Sequence, residues 1–407
     1  MRGKLMSILG GTDTTKRYRF IDRVGEGGMS TVYRAEDRET LGLVAVKLLH
    51  DDLARYDHSL FRFEREARIL SALNHPLIVK CHGAIKVSEG SNSDKLRPGF
   101  VMDYLEGKDL FDTLRDEKVL DTEETAMIML QLALAFDYVH RRGIVHRDMK
   151  PEQVSLQRNG CPSSTRLIVY DFGICGFIGD NLPYANNGHR KLPVLAPDER
   201  RLTAHGTIFG TPEYVSPEEA DGSKHVDGRS DLYALGIMMY QMISGKLPFR
   251  GGNKHSIISR QIYELPAPFA PIATCDYSYG RRQYQPSGLD AVCFKLLEKD
   301  PDKRHQTGRE LAYAVLNALP DIMAERLLLS MSVGLLGMSW NQDPKQPKPD
   351  PIPEIETAQE PVQTTVPPEP VLLAVPELVP QKKGFIDGLI SFFLAPDAWI
   401  RNSDRHL

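Results

Sequence analysis

The sequence predicts an α+β fold in two lobes, a small β-rich N-lobe carrying one helix and a larger helical C-lobe. Three observations predict it. Apolar-rich runs with strand-forming residues, broken by turn signals, recur over residues 18–49 and again between 78 and 103. From Leu110 the apolar residues recur at helical spacing. After Pro320 the composition changes, and residues 341–380 hold 11 prolines, which marks a linker outside the packed lobes.

The elements follow in order. Tyr18–Val24, Ser30–Glu36 and Leu43–Leu49 read as strands with a Gly-rich turn between the first two. Over Ser59–Leu73, Phe63, Ala67 and Leu70 share one helical face, and His75-Pro76 ends the helix. Strands are expected at Ile78–Ile85 and Gly99–Asp103, with Ser88–Pro98 as a surface hairpin loop. Asp103–Gly107 forms the hinge between lobes. Thr122–Arg141 reads as a long helix with Met127, Leu130, Leu134 and Tyr138 on its apolar face. After a loop at 146–153 come two short strands, Val154–Gln157 and Arg166–Tyr170. Residues 174–215 look irregular, and helices resume near Pro217 and Asp231 and run to about Leu319.

The domain organisation expected is a flexible N-terminus over residues 1–16 and a bilobal domain over 17–319, with N-lobe 17–103 and C-lobe 108–319. A short apolar helix over 320–340, the Pro-rich linker 341–380 and an amphipathic segment 381–407 follow. At 41% hydrophobic and 26% charged residues the 407-residue chain has the balance of a soluble globular protein. A net charge of −4 argues against a nucleic-acid partner, which usually meets a strongly basic domain. The five cysteines are scattered without a CxxC pair, as expected of free thiols in a reducing, cytoplasmic setting. Residues 1–11 lack the apolar run of a signal peptide. No apolar stretch reaches the ~18 residues of a spanning helix; the nearest, Leu327–Trp340, has 14.

The chemistry concentrates at a few places. Gly25-Glu26-Gly27-Gly28-Met29-Ser30-Thr31-Val32 lies between two strands, where glycines let backbone N–H groups approach a phosphate. Val44-Ala45-Val46-Lys47 follows on the next strand, and Glu66 sits on the helix after it. A strand lysine paired with a helix glutamate can hold the α and β phosphates of ATP. His146-Arg147-Asp148-Met149-Lys150-Pro151-Glu152-Gln153 sets a proton acceptor, Asp148, two residues from a cation, Lys150, and Asp171-Phe172-Gly173 begins 18 residues later. A proton acceptor, a cation and a metal-binding carboxylate at this spacing suit phosphoryl transfer, which needs positioning and charge neutralisation more than covalent chemistry.

In this order the motifs resemble those of the Hanks-type (eukaryotic-like) Ser/Thr protein kinases, bacterial members included, over about residues 17–319. Gly210-Thr211-Pro212-Glu213-Tyr214-Val215-Ser216-Pro217-Glu218, Asp231 with Gly236, and Asp300-Pro301-Asp302-Lys303-Arg304 continue the likeness. The resemblance implies a bilobal protein kinase fold that uses ATP with Mg²⁺ or Mn²⁺ to phosphorylate protein Ser and Thr. It implies catalytic roles for Asp148, Lys150, Lys47, Glu66 and Thr211, with Thr211 bonding Asp148 and Lys150. It places the nucleotide against Gly25, Glu26, Gly27, Gly28, Val32, Ala45, Lys47, Met102, Asp103, Leu105 and Ser155, and the metal on Asp171 and Gln153. It also implies that Glu218 pairs with Arg304, that Asp231 braces the catalytic loop, and that Arg147 answers phosphorylation at Thr207 or Thr203.

This sequence departs from the family's pattern at Gln153, where the metal-binding residue is usually Asn, at Ser155, where the adenine usually meets an apolar residue, and at Ser30, in place of a third glycine. The extra methylene of Gln153 displaces its amide oxygen by roughly a bond length, ~1.5 Å, and Mg²⁺ tolerates poor geometry badly. An active kinase that phosphorylates its own activation loop is one reading; a pseudokinase scaffold acting through its fold and tail is the alternative. In the tail Phe385, Leu389 and Phe392 or Phe393 share a helical face behind Lys382-Lys383. Three readings stay open for it: packing on the helical lobe, docking in a partner groove, or lying on a membrane surface.

Overall fold

The computed structural model describes residues 17–88, 96–158, 165–173, 175–177, 211–223, 226–269 and 288–336. Five antiparallel strands come first among the described residues: β1 (Tyr18–Glu26), β2 (Ser30–Asp37), β3 (Leu43–Leu49), β4 (Cys81–Ser88) and β5 (Leu96–Asp103). They lie in the order β1-β2-β3-β5-β4. Helix α1 (Asp57–Ala72) crosses from β3 to β4, and its Phe63 packs on Phe100 of β5 with ring centroids 5.2 Å apart. Tyr18, Ala35, Val44, Val46, Leu48, Ile85, Val87 and Val101 form a buried cluster of this sheet. That cluster is what the apolar runs of β1 to β5 provide.

The β4–β5 hairpin differs from the expected one. Leu77 and Val79 bond to Val169 and so are tied to a later strand, and β4 starts only at Cys81. Pairing then continues through Lys86↔Pro98 to Ser88↔Leu96, so the ladder includes residues read as loop. Pro98 fits because the β3–β5 register ends at Leu48↔Gly99, and one flank of the strand there has no ladder to complete.

Beyond the crossing, β6 (Lys108–Asp109), α2 (Leu110–Glu117) and α3 (Thr122–His140) lead to β7 (Ile144–Val145). β8 (Val154–Gln157), β9 (Arg166–Val169) and β10 (Gly176–Phe177) follow, with β6-β8-β9 as a sheet and β10 paired to β7. The remaining α-helices among the described residues are α4 (Pro217–Ala220), α5 (Gly228–Ser244), α6 (Lys254–Tyr263), α7 (Leu289–Leu296), α8 (Gly308–Asn317) and α9 (Asp321–Leu336). Their starts are written in the sequence. Asp109, Asp121, Asp227, Asn253 and Thr307 each accept a bond from a backbone N–H of the first turn, and Ser216 with Glu219 forms a capping box.

Helix α3 is the centre of this lobe. It was expected to present one apolar face, but Glu124 to Val139 are all buried. A helix enclosed on every side has no polar stripe to read. Buried Glu124 is paired with Arg158 and Thr165, and Gln131 bonds the Thr165 carbonyl and the Leu167 N–H.

Helix α9 lies past the expected end of the lobe at Leu319, yet it supplies core. Ala324, Leu327, Leu328 and Met331 are buried, and Arg326 pairs with Glu123 at the start of α3. Among the described residues no helix is long and apolar enough to cross a membrane. Residues 1–16, the linker 341–380 and the segment 381–407 lie outside the described residues. Leu327→Ala is expected to lower unfolding stability by about 2–5 kcal/mol. Ile322→Ala, at an 80% exposed position of the same helix, should stay within about 0.5 kcal/mol. Urea titration of both variants checks the contrast, and equal losses would remove α9 from the core.

Candidate active site

The strand register builds the first wall. Gly25, Val32, Lys47 and Phe100 stand in one row across β1, β2, β3 and β5. The turn after Glu26 is closed by Gly27 N–H donating to the Ser30 carbonyl at 2.9 Å. Gly28 faces open space. Ala45 lies opposite Met102, and Asp103 ends β5 with its N–H on the Lys80 carbonyl. Leu105 is in the crossing between lobes. That crossing depends on Gly107, at φ +118°, where a Cβ would sit 2.7 Å from the Leu156 carbonyl oxygen. Ser155 is buried on β8, opposite Asp109 and Ile168.

Lys47 joins this wall to the rest of the site. Its Nζ lies 2.5 Å from Glu66 Oε1 and 3.3 Å from Asp171 Oδ1. Burial alone would lower the Lys47 pKa, but the charges of Glu66 and Asp171 more than offset it and hold the ammonium above its ordinary value. Burial pushes Asp171 upward, but the neighbouring basic groups, Lys47 foremost, together outweigh it and hold the carboxylate below the usual range. One cation thus gathers residues from β3, α1 and the segment after β9.

Asp148 is set by a second buried carboxylate. Asp231, in the first turn of α5, is 1% exposed. Its oxygens accept the backbone N–H of His146 at 2.9 Å, that of Arg147 at 2.8 Å and the His140 ring at 2.7 Å. Arg147 is held at φ +68° and Asp171 at φ +64°, both in a region side chains rarely adopt. The His146 ring packs on Phe172 with centroids 4.8 Å apart. Burial lowers the His146 pKa despite three nearby carboxylates.

Thr211, Asp148, Lys150 and Gln153 converge. Lys150 Nζ lies 3.2 Å from Asp148 Oδ2 and 3.3 Å from Thr211 Oγ1. Thr211 N–H points at Asp148 Oδ1 from 3.4 Å. Gln153 is 3% exposed. Its Nε2 is 3.5 Å from Asp148 Oδ2, and its Oε1 is buried with no hydrogen-bond partner. Turning the amide over would set oxygen against a carboxylate, so the unpartnered atom is the oxygen. The Gln153 backbone carbonyl accepts from Tyr170 N–H, which fixes it to the residue before Asp171. The Asp171 carboxylate, which meets Lys47 through Oδ1, and the unpartnered Gln153 amide oxygen are hard oxygen donors of the kind a divalent cation takes.

Further along, Glu218 receives Arg304 through both carboxylate oxygens at 2.8 and 2.7 Å. Residues 178–210, with Thr203 and Thr207, lie outside the described residues. Sequence reasoning missed His140, which meets Asp231 across 91 positions, and Glu219, whose carboxylate bonds the Ser216 hydroxyl and N–H. The Glu219 capping box was readable as S-x-x-E; the His140 contact had no local signal.

Residues 18–314 match the family model for the protein kinase domain. The chain is 35% identical over 303 residues to the serine/threonine-protein kinase pkn2 of Myxococcus xanthus, covering 74% of this chain and 32% of that one. It is 34% identical over 298 residues to a probable serine/threonine-protein kinase of Streptomyces coelicolor, covering 72% and 39%. Against the serine/threonine-protein kinase PknB of Mycobacterium leprae it is 33% identical over 296 residues, covering 72% and 42%. The chain therefore spans 32–42% of the length of these relatives.

Burial, then the neighbouring Asp231, pushes the Glu219 carboxyl up to about 7 from its ordinary 4.5. The folded chain keeps this proton where the unfolded chain has released it, so its contribution to stability is lost as pH rises through about 7. Glu219→Gln keeps an acceptor for Ser216 and removes the titration. It should melt above the wild type at pH ~8, with the gap shrinking as pH falls toward the unfolded-state value. Thermal melts across that range check it, and a gap that widens at low pH would contradict it.

Proposed function

The chain belongs to the protein kinase family, and we propose that it transfers the γ-phosphoryl group of ATP to Ser and Thr hydroxyls of protein substrates, with Mg²⁺ or Mn²⁺. The observation that carries this is the double reach of Lys47, to Glu66 at 2.5 Å and to Asp171 at 3.3 Å. It puts a phosphate-holding cation and a metal-binding carboxylate side by side.

Each residue then has a task. The Gly25–Val32 turn offers backbone N–H groups to phosphate oxygens, and Lys47 holds the α and β phosphates. Asp148 orients the incoming hydroxyl and takes its proton as the hydroxyl oxygen bonds to the γ phosphorus and the β–γ bridging bond breaks, releasing ADP. Lys150 balances negative charge on the group in transit, and Thr211 keeps Lys150 and Asp148 in register. Asp171 and the Gln153 amide oxygen would hold a divalent cation, which would supply further charge neutralisation when bound. Thr203 and Thr207 are proposed sites of self-phosphorylation. Arg147 supports this, because its buried Nε has no hydrogen-bond partner and suits a phosphate.

Incubating the full chain with γ-labelled ATP and a Ser/Thr-containing protein tests the reading. Asp148→Ala should cut label transfer by at least ~10²-fold, and transfer that survives the substitution would sink it. Gln153→Asn shortens the metal-facing arm by ~1.5 Å. The ratio of Mg²⁺-supported to Mn²⁺-supported rate should rise several-fold in that variant, and an unchanged ratio would remove Gln153 from the metal site.

A further inference from the structure

Gln261, on α6, is 0% exposed. Buried glutamines need partners, and this one has them on both ends of its amide. Its Nε2 donates to the Glu213 carbonyl at 2.6 Å and the Pro212 carbonyl at 3.3 Å. Its Oε1 accepts the Tyr233 hydroxyl at 2.7 Å. The main-chain carbonyl of Gln261 accepts from Lys299 Nζ at 2.7 Å, and the same ammonium reaches the Tyr233 hydroxyl at 3.0 Å and lies 4.0 Å from the Phe249 ring centroid. The orientation of the amide is fixed by this set, because the reverse would face its oxygen with two carbonyl oxygens.

The two carbonyls it grips belong to the residues immediately after Thr211. Other side chains hold the strip further on: Tyr214 bonds Gln241 at 2.8 Å, and Glu218 bonds Arg304. Thr211 itself meets Lys150 at 3.3 Å and Asp148 at 3.4 Å. Contacts at the long end of the hydrogen-bond range are lost with a small backbone shift. Pro212 and Glu213 are therefore where slack in the strip would reach Asp148 and Lys150 first.

We infer that Gln261 is a positioning residue for phosphoryl transfer, holding the Pro212–Glu213 backbone so that Thr211 stays against Asp148 and Lys150 and the acceptor peptide is received in register. This rests on the kinase reading. Among the described residues the hydrogen bonds of Gln261 beyond its own helix run to Pro212, Glu213, Tyr233 and Lys299, so its removal affects the peptide side of the reaction and spares the nucleotide side.

Gln261→Met keeps the length of the side chain and deletes every hydrogen bond it makes. The strip should then loosen, and kcat/KM for a Ser-containing peptide should fall about 10- to 100-fold, the weight of the two of its three side-chain hydrogen bonds that grip the strip. The Kd for ATP should stay within about twofold, as expected for interactions confined to the other substrate. Tyr233→Phe removes the donor to Oε1 and leaves the grip on the carbonyls, so it should cost less than Gln261→Met. Hydrogen exchange read alongside should quicken over residues 211–218 in Gln261→Met and stay unchanged over β3 and α1. A merely structural Gln261 would lower Tm and leave the peptide kinetics of the folded protein alone, and that result would overturn the inference, as would equal losses for peptide and ATP. A wild type that transfers no phosphate would sink the kinase reading instead, and exchange over 211–218 would still decide whether Gln261 holds the strip.

Discussion

The site depends on one buried carboxylate. Asp231 is enclosed by the helical lobe, and its charge is satisfied by two backbone N–H groups and one imidazole. A carboxylate accepting several such bonds is held ionised, and its pKa is below the ordinary value although burial opposes that. The energy of those bonds holds Arg147 at positive φ, and Asp148 is the next residue. A loop that would otherwise choose among many conformations is thus fixed to the most buried helix pair of the lobe, α3 through His140 and α5 through Asp231.

Lys47 does the corresponding work in the sheet lobe, with a different balance. Its ammonium is gathered into the site by Glu66 and Asp171, and the pair is dry on the Glu66 side, where the side chain is 4% exposed. Breaking a buried pair by deleting one partner leaves an uncompensated charge. The two anchors differ in kind: Asp231 organises backbone, whereas Lys47 organises side chains from β3, α1 and the loop after β9. Gln153 turns its amide nitrogen toward Asp148 and leaves its oxygen unpartnered.

How much of this could be read from sequence follows from the range of each interaction. The Gly25–Val32 turn and Lys47 on β3 are local patterns with strong strand and turn chemistry, and the register brings them into one row. Asp148, Lys150 and Gln153 sit in a stretch short enough for spacing alone to relate them. The Thr122–His140 helix was legible as a helix but not as a wholly buried one, because its apolar residues wrap the full circumference. Strand β4 began later than expected because Leu77 and Val79 are drawn to Val169, a pairing across the lobes that no local window contains. The α9 contribution to the core and the Gln261 strut are likewise tertiary facts, carried by residues whose neighbours in the chain say nothing about them.

The most direct test of the central claim is the turnover of Asp231→Asn in the full chain, measured beside its ATP affinity. The amide keeps the size of the side chain but loses the charge and one of the two acceptors that hold His146 and Arg147. The account predicts a kcat lower by about 10- to 100-fold, the weight of a hydrogen bond to a charged group, with ATP binding retained because Lys47, Glu66 and Asp171 are untouched. Wild-type turnover in that variant would contradict it, since Asp148 would then hold its place without the carboxylate beneath it.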